Sequence, residues 1–181
     1  RNKIALQSDI LGANALGIKN ILCITGDSVK AGDQQSAKAV HEFESVKLLK
    51  QIQSFNNGID PTYELLSDHK TEIFAGAAAD PSYKNLKIVK MRTEQKKEAG
   101  ARFIQTQMIM DKKYLIDFCD EISKPLNLPV LAGVFLLKSY KNALFINKFV
   151  PGANIPDQIL NRLKESNNPG EEGINIAAEQ V

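Results

Sequence analysis

The sequence predicts an α/β protein built around a parallel sheet. Four short apolar runs alternate with longer stretches whose apolar residues recur at helical spacing. Each run is continuous rather than alternating, as in strands that are covered on both faces. Because a helical stretch joins each run to the next, right-handed crossovers between parallel strands are the economical solution.

The first half of the chain contains two predicted helices and two predicted strands. Apolar spacing predicts helices over residues 2–16 and 45–55, and each is followed by a turn that contains glycine. Strands are predicted over residues 21–24 and 72–77, and Asp80-Pro81 prevents the second strand from continuing. This half therefore reads as two helix-strand units.

The second half repeats the pattern and then ends in helices. A helix over residues 86–99 stops at Gly100, and a strand follows at once. The residues from Asn167 to Gly173, rich in Asn, Gly and Glu, are predicted to form a surface loop. The remaining predicted elements are a strand over 103–107, a helix over 112–122, a strand over 130–134 and helices over 140–149 and 157–163.

Two parallel architectures compete at this point. A complete open, doubly wound sheet suits 181 residues, whereas a closed eight-stranded barrel needs about 250. However, Thr25-Gly26-Asp27-Ser28 after the first strand lacks the glycine pattern of a dinucleotide fold, and no P-loop motif occurs. The length of the chain favours the open sheet, whereas the absence of the dinucleotide-binding glycine pattern weighs against it.

Composition predicts a single soluble domain over residues 1–181, with 43% hydrophobic and 24% charged residues. A net charge of +2 gives no electrostatic reason to expect nucleic acid or a membrane surface as a partner. The longest apolar run, from Val130 to Leu137, is far shorter than the roughly 20 residues of a membrane span. Cys23 and Cys119 lie in apolar stretches, which predicts buried thiols in a reducing, cytoplasmic compartment.

The predicted strand ends carry the candidate ligand residues, because parallel α/β folds bind ligands at the carboxyl ends of strands. Asp27 follows an apolar strand beside Gly26, although Gly-Asp-Ser is also turn or N-cap sequence. Gln107 offers donors and acceptors to a heteroaromatic ring, or it is a surface residue. The small residues from Gly76 to Ala79 admit a ring or phosphate chain, or serve tight helix packing.

Other residues give weaker or negative indications. Lys96, Lys97 and Arg92 lie on the helix before Gly100, where cations also complement the negative helix end. His41 and His69 have no partner at metal-ligand spacing, so a zinc site is not predicted. No nucleophile motif of a hydrolase occurs. What remains is typical of a surface that binds a cofactor with its own chemistry.

An ordered set of motifs resembles the methylenetetrahydrofolate reductase family over essentially the whole chain. The motifs and their order match together, which is more specific than any one of them. They are Arg1-Asn2 with Ala5-Leu6-Gln7-Ser8-Asp9, then Leu22-Cys23-Ile24-Thr25-Gly26-Asp27, Ala77-Ala78-Ala79-Asp80-Pro81, Ala99-Gly100-Ala101-Arg102-Phe103-Ile104-Gln105-Thr106-Gln107 and Val150-Pro151-Gly152-Ala153-Asn154-Ile155-Pro156.

The resemblance implies a TIM-type (β/α)8 barrel that holds FAD and reduces 5,10-methylenetetrahydrofolate to 5-methyltetrahydrofolate, in one-carbon metabolism and methionine biosynthesis. NAD(P)H or a protein would donate the electrons, and an oligomer or partner subunit is expected. Asp27 would be catalytic and would tune the flavin. By the same resemblance, FAD contacts fall on Thr25, Gly26, Asp27, Ala78, Ala79, Asp80 and Lys96, and the pterin contact falls on Gln107.

The resemblance also implies that residues 1–181 form an incomplete barrel. The family's general-acid glutamate lies on the first strand and would precede Arg1, and the eighth strand would follow Val181. The isolated chain is therefore expected to be inactive by itself. The alternative is a half-barrel that serves as a non-catalytic binding or scaffolding module.

Overall fold

The computed structural model describes residues 2–60, 70–150 and 152–180. Arg1, His69, Pro151 and Val181, which figure in the sequence analysis, lie outside the described residues. The chain divides into two compact units. The first unit comprises the described residues of Arg1–Ala78 and Met91–Ile104, and the second those of Ala79–Lys90 and Gln105–Val181.

Strands and helices follow one another in the predicted order as far as α7 (Asp157–Glu165). Short irregular turns interrupt the pattern twice, as a 3₁₀ turn over Val29–Ala31 and a π-helical turn over Cys119–Ser123. The regular elements are α1 (Lys3–Ala15), β1 (Asn20–Cys23), α2 (Ser45–Asn56), β2 (Phe74–Ala79), α3 (Leu86–Glu98), β3 (Phe103–Met108), α4 (Lys112–Phe118), α5 (Lys124–Leu126), β4 (Val130–Gly133), α6 (Tyr140–Phe149), α7 (Asp157–Glu165) and α8 (Pro169–Ala178).

The four strands form one parallel sheet in the order β1-β2-β3-β4. Asn20 lies opposite Phe74 and Cys23 opposite Ala77 in the pairing of β1 with β2. A doubly wound sheet reverses its strand order at a switch point, and this sheet does not. The open sheet with alternating helices is consistent with part of a TIM-type barrel, as the resemblance implied.

In the first unit, α2 packs through one apolar face. Leu49, Ile52 and Phe55 recur at helical spacing and are each 1% exposed. The end of α2 is held by the side chain of Asn56, which accepts from the Ile73 N–H at 2.9 Å and donates to its carbonyl at 2.8 Å. Because the backbone N–H and carbonyl of Ile73 bond to this side chain, β2 begins at Phe74 and not at the predicted residue 72.

The second unit has its own apolar core, contributed mainly by α6, α7 and α8. Met108, Met110 and Tyr140 pack against this core from its edge. Its fully or nearly buried members are Leu137, Ala143, Ile146, Ile155, Ile159, Leu160, Leu163 and Ile176. A single domain over residues 1–181 stays a prediction.

The prediction of a surface loop over residues 167–173 is wrong, because α8 begins within it. Asn168 caps the helix by accepting from the Glu171 N–H at 3.5 Å. Pro169 occupies the first turn, where its missing N–H costs nothing. Ile176 is 2% exposed, so burial of an apolar face stabilises a segment whose composition is typical of a loop.

The two cysteines differ in environment. Cys23 ends β1 and is fully buried, and burial raises the pKa of its thiol to about 12. Cys119 is only half-buried, so the prediction that it is a buried thiol needs correction. Burial is also the main cause that raises the pKa of the Cys119 thiol. Both cysteines are free thiols.

Candidate functional site

The residues directly after β1 line a cavity of about 290 Å³ in the first unit. Thr25, Gly26 and Asp27, which the sequence singled out together, all contribute to its wall. Gly26 has φ +81, a left-handed conformation that favours glycine, and no heavy atom lies within 4 Å of the position of a Cβ on it. The structure therefore leaves open space above this glycine and exposes the Asp27 side chain.

Thr25 connects the end of β1 to the start of α2. Its hydroxyl accepts from the Ser45 N–H at 3.3 Å and lies 3.5 Å from the Ser45 hydroxyl. Glu44 precedes Ser45 and makes no capping hydrogen bond with its side chain, so Thr25 satisfies a backbone donor at this helix start. This contact holds the strand end in place.

Asp27 does not cap the helical turn that follows it, because Ser28 does so. Ser28 is the N-cap of the 3₁₀ turn and accepts from the Lys30 N–H at 3.3 Å. Asp27 therefore follows the strand as an exposed carboxylate at the cavity.

The lining of the cavity also includes basic and apolar side chains. Lys38 and His41 contribute to it with Phe43 and Leu48. No local pattern in the sequence marked Lys38 or His41 as ligand residues, because both lie in an irregular segment. The volume is close to the lower end of the roughly 300–1,000 Å³ of small-molecule sites, so it suits a ring-sized group.

A second grouping in the first unit joins α3 to β2. Lys96 Nζ donates to the Ala78 carbonyl at 2.7 Å. Burial lowers the pKa of Lys96, and the positive charge of Arg92 adds to the effect. An ammonium has three donors, so one contact with Ala78 leaves capacity for anionic oxygens. Ala78 and Lys96 are not among the residues that line the cavity around Asp27.

In the second unit the structure brings Asp80 and Gln107 to one place. A Cβ on Gly152 would lie 3.4 Å from Gln107 Nε2 and 3.9 Å from Asp80 Oδ2. Asp80 is held by its other oxygen, Oδ1, which accepts from the Ser82 N–H at 2.9 Å and from the Ser82 hydroxyl at 2.6 Å. Gln107 Oε1 accepts from the Met108 N–H at 2.8 Å. Both side chains are therefore oriented by local hydrogen bonds.

The backbone that carries Gln107 is fixed by β4. The buried hydroxyl of Thr106 accepts from the Gly133 N–H at 2.8 Å, and the Ile109 N–H donates to the Gly133 carbonyl at 2.8 Å. A Cβ on Gly133 would lie 2.9 Å from the Thr106 carbonyl oxygen and 3.0 Å from that of Gln107. The sequence pattern marked Gly133 only as a strand end, and its close approach to β3 is visible only in the structure.

Residues 2–60, 70–150 and 152–180 contain no group of three or more His, Cys, Asp or Glu side chains arranged to hold a metal ion. No helix in this part of the chain is long and apolar enough to cross a membrane.

The parallel sheet with alternating helices defines the class of the protein as α/β, with an architecture consistent with part of a TIM-type barrel. The model of one family, methylenetetrahydrofolate reductase, matches residues 1–181. The chain belongs to the methylenetetrahydrofolate reductase family. No curated protein matches the chain.

A solved structure supports the fold. It is described as an uncharacterized protein from Clostridium thermocellum that binds two copies of 5-methyl-5,6,7,8-tetrahydrofolic acid. The superposition has a TM-score of 0.59 at 17% sequence identity and covers 90% of this chain. At that identity the similarity shows the fold alone. The chain spans 58% of the length of that protein.

Proposed function

We propose that this protein acts in the flavin-dependent reduction of 5,10-methylenetetrahydrofolate to 5-methyltetrahydrofolate, and that this chain supplies FAD- and folate-binding strand ends. Membership of the family supports the reaction, and the folate bound by the similar structure supports the ligand class. The observation that carries the proposal is the convergence of Asp80 and Gln107 on Gly152, because the resemblance assigned these two residues to adjoining ligands.

The residues of the first unit fit a flavin in two respects. The space above Gly26 is open, so the flat face of a ring can approach the backbone there. Lys96 presents a partly buried ammonium at the end of β2, where a phosphate would pair with it. Thr25 and Ala78 add little bulk at these strand ends. When bound, FAD supplies the hydride chemistry that the chain lacks.

Asp27 and Gln107 have different proposed roles. The exposed carboxylate of Asp27 places a negative charge at its cavity, which favours a cationic iminium form of the substrate. Gln107 hydrogen-bonds the pterin edge through its amide. Because its Oε1 already accepts from Met108, pterin binding through that oxygen would share or replace this contact.

The wider assignment follows from the same proposal. NAD(P)H or a protein carrier donates electrons, the protein works in the cytoplasm, and it forms an oligomer or binds a partner subunit. The small net charge of +2 agrees with a small-molecule substrate rather than nucleic acid.

The experiment is a pair of half-reactions on the purified full-length protein. We expect a flavin absorption spectrum and reoxidation of the reduced flavin by 5,10-methylenetetrahydrofolate. Asp27→Asn should retain FAD and slow folate-dependent reoxidation by about tenfold or more, because it removes charge with little change in volume. Absence of flavin would contradict the proposal.

Gln107→Ala provides the matched test of the folate contact. We expect it to weaken folate binding by about 1–3 kcal/mol and to leave FAD binding unchanged, because a polar edge of the bound pterin loses its partner. An equal loss of both ligands would indicate a structural defect. Folate binding without flavin reoxidation would instead favour the non-catalytic binding module.

A further inference from the structure

A groove between α1 and α2 has no part in the proposed function. It is a cavity of about 260 Å³ in the first unit, which we call the lysine groove. None of the residues proposed to contact flavin or folate lines it. Its wall consists of Lys3, Phe43, Lys47, Lys50, Gln51, Ser54, Ile59 and Asp60.

The charges around the lysine groove favour an anion. Lys3 comes from the first turn of α1, and Lys47 and Lys50 come from α2, so two helices contribute cations to one cavity. Asp60 is the acidic residue among the described residues that line it. The lining therefore carries an excess of two positive charges at neutral pH.

A buried amide in the groove supplies an independent indication of the same ligand chemistry. Gln51 is 7% exposed, and its Oε1 accepts from Gln7 Nε2 at 3.1 Å. That hydrogen bond orients the amide, and the Gln51 Nε2 is left buried without a hydrogen-bond partner among the described residues. Buried donors are normally satisfied, so an acceptor is expected to reach this nitrogen.

We propose that the lysine groove binds a phosphate group. The ammonium groups of Lys47, Lys50 and Lys3 pair with phosphate oxygens. Such bonds between charged partners are stronger than neutral ones. Gln51 Nε2 is inaccessible in this structure, so it donates to the phosphate only once rotation of the Gln51 side chain has exposed it to the groove. The site requires neither flavin nor folate, so it can be tested separately from the proposed function.

The test is a titration of the purified protein with inorganic phosphate at low ionic strength, followed by calorimetry and by backbone NMR shifts of α1 and α2. We expect saturable binding that weakens about tenfold or more in the double variant Lys47→Gln with Lys50→Gln. The double variant Lys87→Gln with Lys90→Gln removes the same two charges from exposed positions outside the groove and should leave the affinity unchanged. An equal loss in this control variant, or no saturable binding, would overturn the proposal.

Gln51→Leu separates a binding role from a structural one. The variant removes the unpaired donor, so we expect an unchanged or higher melting temperature together with phosphate binding that is several-fold weaker. Unchanged phosphate binding in a folded Gln51→Leu protein would refute the role of the amide. A parallel titration with AMP distinguishes free phosphate from a phosphomonoester as the better ligand, and loss of flavin from the protein would change neither result.

Discussion

The strand end after β1 and the paired ends of β3 and β4 are built differently, although both carry residues that the sequence singled out. After β1, Gly26 faces open space and the Asp27 side chain is exposed. At β3 and β4, the buried Thr106 hydroxyl holds the Gly133 backbone, and Gln107 is tied to the Met108 N–H.

The difference shows two ways of preparing a site for a ligand. The first region leaves room for a flat ligand at Gly26, and the exposed carboxylate of Asp27 can contact that ligand. The second uses local hydrogen bonds to fix the position of an amide before any ligand arrives, which lowers the entropy lost on binding. We therefore expect substitutions at Thr106 and Gly133 in the second region to damage folding, and those at Asp27 in the first region to damage ligand binding.

The largest expected effect comes from adding one methyl group at β4. Gly133→Ala would place a Cβ 2.9 Å from a carbonyl oxygen of β3, and backbone atoms cannot move aside cheaply. We expect a loss of about 3 kcal/mol in the free energy of unfolding, measured by denaturant titration.

Gly26→Ala is the matched control in the open region. It adds the same methyl group into empty space and should cost only about 1 kcal/mol, from the left-handed backbone. Equal losses in the two variants would contradict the contrast between the regions.

A smaller effect is expected from removing one hydroxyl in each region. Thr106→Val leaves the Gly133 N–H without its acceptor beside a buried side chain, at a cost of about 1–2 kcal/mol. Thr25→Val removes a longer and more exposed contact with Ser45 and should cost about 0.5 kcal/mol. Thermal unfolding of the two variants measures the two losses of stability. A larger loss in Thr25→Val than in Thr106→Val would contradict the proposed difference between the regions.

The smallest effect concerns the pH dependence of stability at Lys96. Its pKa is lowered in the folded protein, so at pH values between that lowered pKa and 10.5 the unfolded state binds more protons. The free energy of unfolding therefore rises with pH over that interval. Relative to Lys96→Met, the wild-type protein should gain stability as the pH approaches 10.5. Parallel stability curves for the two proteins would show that burial does not perturb this lysine.

Most of the regular elements could be predicted because their signals are local. The helix before Gly17 ends at Ala15 and the strand after it begins at Asn20, close to the predicted bounds. The predicted helix over 112–122 continues instead through a π-helical turn into α5. The helix α8 was missed because Asn, Gly and Glu are typical of loops, and burial of Ile176 decides otherwise.

The candidate site could be predicted only as separate pieces. The type of residue at each strand end drew attention to Asp27, Asp80 and Gln107, and the family resemblance assigned them roles. Gly152 stands in a motif of the family resemblance, but nothing in the sequence placed it beside Asp80 and Gln107. The contribution of His41 to the cavity had no sequence signal, because it lies in an irregular segment.

The sequence by itself determined the class of fold, the order of the strands and helices up to α7, and the family. These follow from the periodicity of apolar residues, from the glycines that end helices and from the order of motifs, which are all properties of neighbouring residues. Only the tertiary structure decided that the sheet runs β1-β2-β3-β4, that Lys96 reaches Ala78, and that Gln51 is buried with an unpaired donor. These depend on packing between segments far apart in the chain, where close packing and hydrogen-bond satisfaction act and local propensity has no influence.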